Sequence, residues 1–306
     1  MKIKVAVIGI GYLGTRHAQI YSKIPGAELS FICDINIEKA ANLAKELNTK
    51  ATSDFKEIIK NKVDAVSVVV PTNLHYKITQ ELLQNKIHCL VEKPITPCLK
   101  EAQKLINLAK KNNLILSVGH VERYNSAFVA VKKIIKDPCF IECHRLAPFS
   151  GRSLDISVIL DLMIHDIDIA LGLIKSSVKS IDAIGVKVLT NHEDIANARI
   201  KFNNGCICNL TASRISDEVM RKIRIFENDT YISLDYVKQE ASYYHKENGQ
   251  IKKENLPIEK EPPLERELKD FLSCITEQRN PLVSGVEARL ALKTAFEIEN
   301  KIRNAK

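Results

Sequence analysis

The sequence predicts an α/β protein in two parts. Residues 1–120 read as a parallel sheet wound by helices, and residues 121–306 as an α+β domain on an open-faced, mainly antiparallel sheet. Three observations carry this. Short β-branched runs alternate with helix-like runs as far as residue 120, the pattern of βαβ units. A glycine-rich turn follows the first strand-like run. Beyond residue 139, strand-like runs succeed one another with only short turns between them.

In chain order, Lys4–Ile8 is the first strand and a helix runs on to Tyr21. Glu28–Cys33 is the next strand, Asp54 is placed to cap a short helix ending at Lys60, and Val63–Val70 is a buried strand. Pro71-Thr72 opens a helix with His75 in its first turn. Ile87–Val91 is apolar and stops at Glu92-Lys93-Pro94, since proline cannot continue a ladder. Thr96 and Pro97 are expected to start a helix, and Leu114–Val118 closes the first half. Residues 121–136 read as one helix. Strands are expected at 139–147, 178–190, 195–202, 205–213, 219–227 and 230–237, with Asn203-Asn204-Gly205 as a hairpin turn. Residues 245–262 read as an exposed hairpin or loop. Helices at 264–278 and from the Ser284/Glu287 capping box to Ile302 finish the chain.

Composition narrows the function. The 306 residues are 45% hydrophobic and 27% charged, ordinary for a globular protein. The net charge of +8 comes from scattered lysines without a basic tail or aromatic-interleaved patch, so no nucleic-acid partner is expected. The longest apolar stretch, Leu154–Ile174, contains four aspartates, and no signal peptide is visible. No membrane association is expected, and the compartment implied is the cytoplasm. Eight cysteines without a CxxC pair read as reduced thiols and give no metal site.

The chemistry is concentrated in three places. Gly9-Ile10-Gly11-Tyr12-Leu13-Gly14 is a GxGxxG turn between strand and helix, where backbone amides and a helix N-terminus meet a diphosphate. Asp34, 20 residues after Gly14, is placed for ribose hydroxyls, and no arginine follows it to balance a 2′-phosphate. This makes the first half a Rossmann domain for NAD. Lys93 ends a strand on the sheet edge where such domains bind ligands. Asp161 and His165 stand four apart on a predicted helix, so a carboxylate can orient an imidazole. Asp168 is expected on the same side. Arg123, Arg145, Arg152 and Arg214 are candidate contacts to a substrate diphosphate.

GxGxxG with Asp34, Glu92-Lys93-Pro94 at the end of the fifth strand, and Asp161-x-x-x-His165 in an antiparallel second domain together resemble the Gfo/Idh/MocA family of oxidoreductases. The resemblance covers essentially the whole chain. It implies hydride transfer to NAD, with the nicotinamide lying between the domains. It matches Lys93 to the family's catalytic lysine, Asp161 and His165 to its D-x-x-x-H pair, and Pro71, Thr72 and His75 to the loop beside the cofactor. Glu92 joins the expected cofactor contacts; Arg123, Tyr124, Asn125 and Arg152 join the expected substrate contacts. The chain departs from many members in carrying Ser157-Val-Ile-Leu160, without glycine, before Asp161.

A narrower resemblance lies in the stretches 144–153, 160–168 and 194–199. It points to the branch that oxidises the 3-hydroxyl of UDP-N-acetylglucosamine in lipid A assembly, with an aminotransferase as pathway partner. A free polyol such as inositol is the alternative substrate, and a non-catalytic nucleotide-binding regulator a third reading. The bare sheet face implies a homodimer or homotetramer built through strands between 178 and 237.

Overall fold

The computed structural model describes residues 2–151 and 154–304, and the chain divides into two compact units. The first contains Met1–Val121 and Leu264–Arg289. Its elements are β1 (Ile3–Ile8), α1 (Tyr12–Tyr21), β2 (Ala27–Cys33), α2 (Ile37–Glu46), β3 (Lys50–Thr52), α3 (Phe55–Lys60), β4 (Ala65–Val68), α4 (Thr72–Gln84), β5 (His88–Glu92), α5 (Leu99–Asn112) and β6 (Leu116–Gly119). The sheet is parallel in the order β3-β2-β1-β4-β5-β6, the doubly wound order of a dinucleotide-binding domain. Asp54 caps α3 by accepting from the Lys56 amide.

The second unit contains Glu122–Pro263 and Leu290–Lys306. After a 3₁₀ turn, Val121–Tyr124, come α6 (Ser126–Lys132), β7 (Phe140–Leu146), a π turn (Ile159–Met163) and α7 (Ile164–Leu173). The strands β8 (Val178–Val186), β9 (Ile195–Phe202), β10 (Ile207–Ser213), β11 (Met220–Phe226), β12 (Thr230–Asp235), β13 (Glu240–Glu247) and β14 (Gln250–Asn255) follow. They form an eight-stranded sheet in the order β14-β13-β12-β11-β7-β10-β9-β8, antiparallel except for β7 beside β10. Alternation buries one face: Ile141, Cys143, Leu210, Ile223 and Ile225 join Phe128 of α6 and Ile167 of α7 in one core. The other face keeps half-exposed side chains such as Phe140, Phe226, Tyr231 and Tyr244, stacked in sequence across the strands. The 245–262 region is the β13–β14 hairpin, turned by Asn248-Gly249 with both residues at positive φ, and a tail.

Three local expectations change. Residues 121–136 are not one helix, because Asn125 takes an extended ψ of 127° and caps α6 by accepting from the Ala127 amide. Thr96 does not cap α5: its hydroxyl donates to the Cys98 carbonyl, and the helix begins at Leu99. The boundary near residue 120 is crossed again by α8 (Pro263–Glu277) and the first turn of α9 (Gly285–Asn304). Leu268, Phe271 and Leu272 of α8 pack among Val5, Val7 and Leu90 of the first sheet. Burying each is worth about 2 kcal/mol, enough to fix the helix there. The capping box holds: Glu287 accepts from the Ser284 amide, and Ser284 accepts from the Val286 amide.

Candidate active site

At the carboxyl end of the first sheet, β1 runs into the glycine turn. Gly9 has φ +87°, and a Cβ there would fall 2.3 Å from the Val69 carbonyl oxygen. A Cβ on Gly14 would fall 1.9 Å from the Gly9 oxygen, so α1 meets the turn only because both lack side chains. Gly11 has open space on its Cβ side and caps α1 without a side-chain hydrogen bond. Its neighbours divide: Ile10 is buried, Leu13 half-buried, and Tyr12 exposed, its ring 4.7 Å from the Arg16 guanidinium carbon. The Asp34 carboxylate accepts from the Ile10 amide at 2.8 Å and the Asn36 amide at 2.9 Å, which locks β2 to the turn. Ile35 beside it is 95% exposed and carries no charge. An open, amide-lined helix start beside a fixed carboxylate fits the diphosphate and ribose of NAD.

Two strands along, Glu92 ends β5 and is buried, whereas Lys93 is half-buried. Glu92 Oε2 accepts from the Lys93 amide at 3.2 Å, and the Lys93–Pro94 peptide is cis. His75, near the start of α4, is 1% exposed and braces this end. Its Nδ1 lies 2.9 Å from the Pro94 carbonyl oxygen and its Nε2 2.8 Å from that of Val70. Burial lowers its pKa, which favours a neutral imidazole that donates to one carbonyl at a time. Pro71 is exposed and Thr72 half-buried at the same end of the sheet.

In the second unit, Asp161 lies in the π turn and His165 in the first turn of α7, both half-buried. A π turn is a wider coil than an α turn and recurs at functional sites. Asp168 does not share their exposure: it is 2% exposed and holds Arg123, whose Nε donates to Oδ2 at 2.6 Å and Nη2 to Oδ1 at 3.0 Å. That guanidinium lies against Gly172, where a Cβ would fall 1.9 Å from Nη1. Tyr124 is 5% exposed, and buried Asn125 donates to the Tyr236 carbonyl. Arg145 donates to Asp166 through Nε and Nη2 and to Glu122 through Nη1, at 2.8–2.9 Å. Arg214 donates to the Ile156 carbonyl at 2.7 Å and faces Asp194. Three amides, of Leu189, Thr190 and Val188, outweigh burial and hold the Asp194 carboxyl down at about 2. The guanidiniums expected to meet a diphosphate are thus engaged inside the unit. Arg152 lies outside the described residues.

Comparison with known proteins bears on the whole chain. Residues 3–120 match the oxidoreductase family with an NAD-binding Rossmann fold, Gfo/Idh/MocA, and residues 145–229 match the C-terminal domain of that family. The chain belongs to the Gfo/Idh/MocA oxidoreductases. A UDP-N-acetylglucosamine 3-dehydrogenase of Acidithiobacillus ferrooxidans is 37% identical over 97% of this chain and 96% of its own length. Its solved structure superposes with a TM-score of 0.94, covering 99% of this chain and 98% of that one. A scyllo-inositol 2-dehydrogenase (NAD(+)) of Bacillus subtilis is 25% identical over 99% of the chain and 95% of its own length. A levoglucosan dehydrogenase in complex with NADH and levoglucosan shares the fold, at 18% identity and a TM-score of 0.91, over 100% of this chain and 98% of that one.

The cofactor of this chain is NAD, and the chain is an oxidoreductase acting on a CH–OH group. Two features of the site were not read from the sequence. His17, fully buried on α1, has Nε2 3.5 Å from Glu92 Oε1. Its signal is present: a histidine on the apolar face of the nucleotide helix. The π turn has no comparable signal. Among the described residues no helix is long and apolar enough to cross a membrane.

Proposed function

We propose that this enzyme oxidises the 3-hydroxyl of UDP-N-acetylglucosamine to a ketone. The observation that carries the reading is 37% identity over 97% of the chain to an enzyme of that name, and the chain itself carries Lys93, Asp161 and His165. NAD, bound along Gly9–Gly14 and Asp34, supplies the hydride acceptor. His165, oriented by Asp161, takes the hydroxyl proton, and Lys93 stabilises the negative charge that develops on the same oxygen. Glu92 and His75 hold the strand end from which Lys93 extends. The ketone is suited to transamination, so an aminotransferase is the fitting pathway partner, in lipid A precursor assembly in the cytoplasm.

One observation favours a second reading, a free polyol or sugar such as inositol. Arg123, Arg145 and Arg214 are occupied by Asp168, by Asp166 with Glu122, and by the Ile156 carbonyl beside Asp194. They serve the fold in this account, and a diphosphate would need other partners. A panel of UDP-sugars and free polyols assayed for NADH formation separates the two. UDP-N-acetylglucosamine should be turned over with the highest kcat/KM; preference for inositol would reverse the assignment.

The half-exposed face of the second sheet, with its row of stacked aromatics, supports a homodimer or homotetramer. Light scattering at micromolar protein should give a mass of at least two chains; a monomer would refute it.

A further inference from the structure

Just before Asp161, where many members of the family carry glycine, this chain has Ser157-Val-Ile-Leu160. Ser157 is 2% exposed, and its Oγ lies 2.6 Å from Oε1 of Glu299 on α9. An ionised carboxylate only accepts, so the hydroxyl donates its single proton to Glu299. The same oxygen then accepts from the Leu160 amide at 3.3 Å, three residues on, the bond an N-cap serine makes. The Ser157 carbonyl accepts from the Asp161 amide at 3.0 Å. One residue thus holds two successive amides of the π turn, and Glu299 holds that residue's side chain.

The flanking backbone is tied as well. The Ile156 carbonyl accepts from Arg214 at 2.7 Å, and the Val158 amide donates to the Glu193 carbonyl at 2.9 Å. Beneath the turn, Val158, Ile159 and Ile164 share a core with Ala295, Ile298 and Ile302 of α9. Apolar contact holds α9 against the turn, but it is non-directional and does not by itself orient one on the other. A short hydrogen bond to a charged group does. Glu299 is half-buried; burial raises its pKa, and the Ser157 hydrogen bond opposes that rise by favouring the carboxylate. We propose that Ser157 and Glu299 are a positioning pair that fixes the π turn and, through it, where Asp161 is held relative to His165. The effect on rate rests on the roles of Asp161 and His165 proposed above.

Ser157→Ala removes the hydroxyl, Glu299→Leu removes the acceptor, and Glu299→Gln keeps an acceptor while removing the charge that faces Arg303. Each is assayed well below its melting temperature, with the substrate that wild type turns over best. Ser157→Ala and Glu299→Leu should each lower kcat by about tenfold or more, since a small misplacement near the chemistry is costly. NADH affinity, by fluorescence, should stay within about threefold. The double variant should be within about twofold of either single one, and Glu299→Gln within about threefold of wild type. Hydrogen exchange, which needs no substrate, should quicken at the Leu160 and Asp161 amides in Ser157→Ala. Wild-type kcat in Ser157→Ala, unchanged exchange at those amides, or Glu299→Gln as impaired as Glu299→Leu, overturns the proposal. An active His165→Ala enzyme would instead overturn the mechanism above, and the exchange measurement would still decide whether the pair fixes the turn.

Discussion

The two units handle polar groups in contrasting ways. In the first, Gly11 faces open space, Lys93 is half-buried at a strand end, and Ile35 leaves the edge beside Asp34 uncharged. In the second, Arg123, Arg145 and Arg214 are 4%, 3% and 5% exposed, and each has an internal partner. Open strand ends leave groups available to a ligand. Buried guanidiniums hold elements together, because removing one partner strands the other charge. Counting arginines near a motif therefore overstates what a substrate can reach.

The contrast breaks most sharply at Arg145. Arg145→Ala leaves Asp166 and Glu122 buried without their shared partner and should cost about 3–5 kcal/mol in denaturant unfolding. Arg224, nearly half exposed and paired with Glu142 on the adjacent strand β7, is the control. Arg224→Ala should cost under about 1 kcal/mol. Equal effects would remove the distinction between structural and surface arginines.

A smaller effect is expected in the first unit. Asp34, without a basic neighbour after it, should favour NAD over NADP by at least about tenfold, or about 1.4 kcal/mol. Asp34→Ala should narrow that ratio in kcat/KM. Comparable use of both cofactors by wild type would contradict the reading of this edge.

Much of the first unit was legible because its signals are local. Gly9, Gly11, Gly14 and Asp34 lie within 26 residues, and Glu92-Lys93-Pro94 is contiguous. Strand alternation likewise announced the second sheet. The partners of Arg123 and Arg145 lie 45, 21 and 23 residues away, so pairing had to wait for the fold. Helix α8 was legible as a helix, but its apolar stripe fits any core, and only packing against Val5 and Leu90 assigns it to the first unit. The π turn at Ile159–Met163 follows from no residue that breaks helical periodicity.

In the proposed mechanism Lys93 and His165 carry the chemistry, while the buried arginines carry structure. Its most direct test is kcat for Lys93→Ala and His165→Ala, with NADH affinity measured on the same preparations. Each substitution should lower kcat by about 10²–10⁴-fold and leave NADH affinity within a few-fold. Retention of more than about half of wild-type kcat by His165→Ala, a barrier change of only ~0.4 kcal/mol, would contradict it.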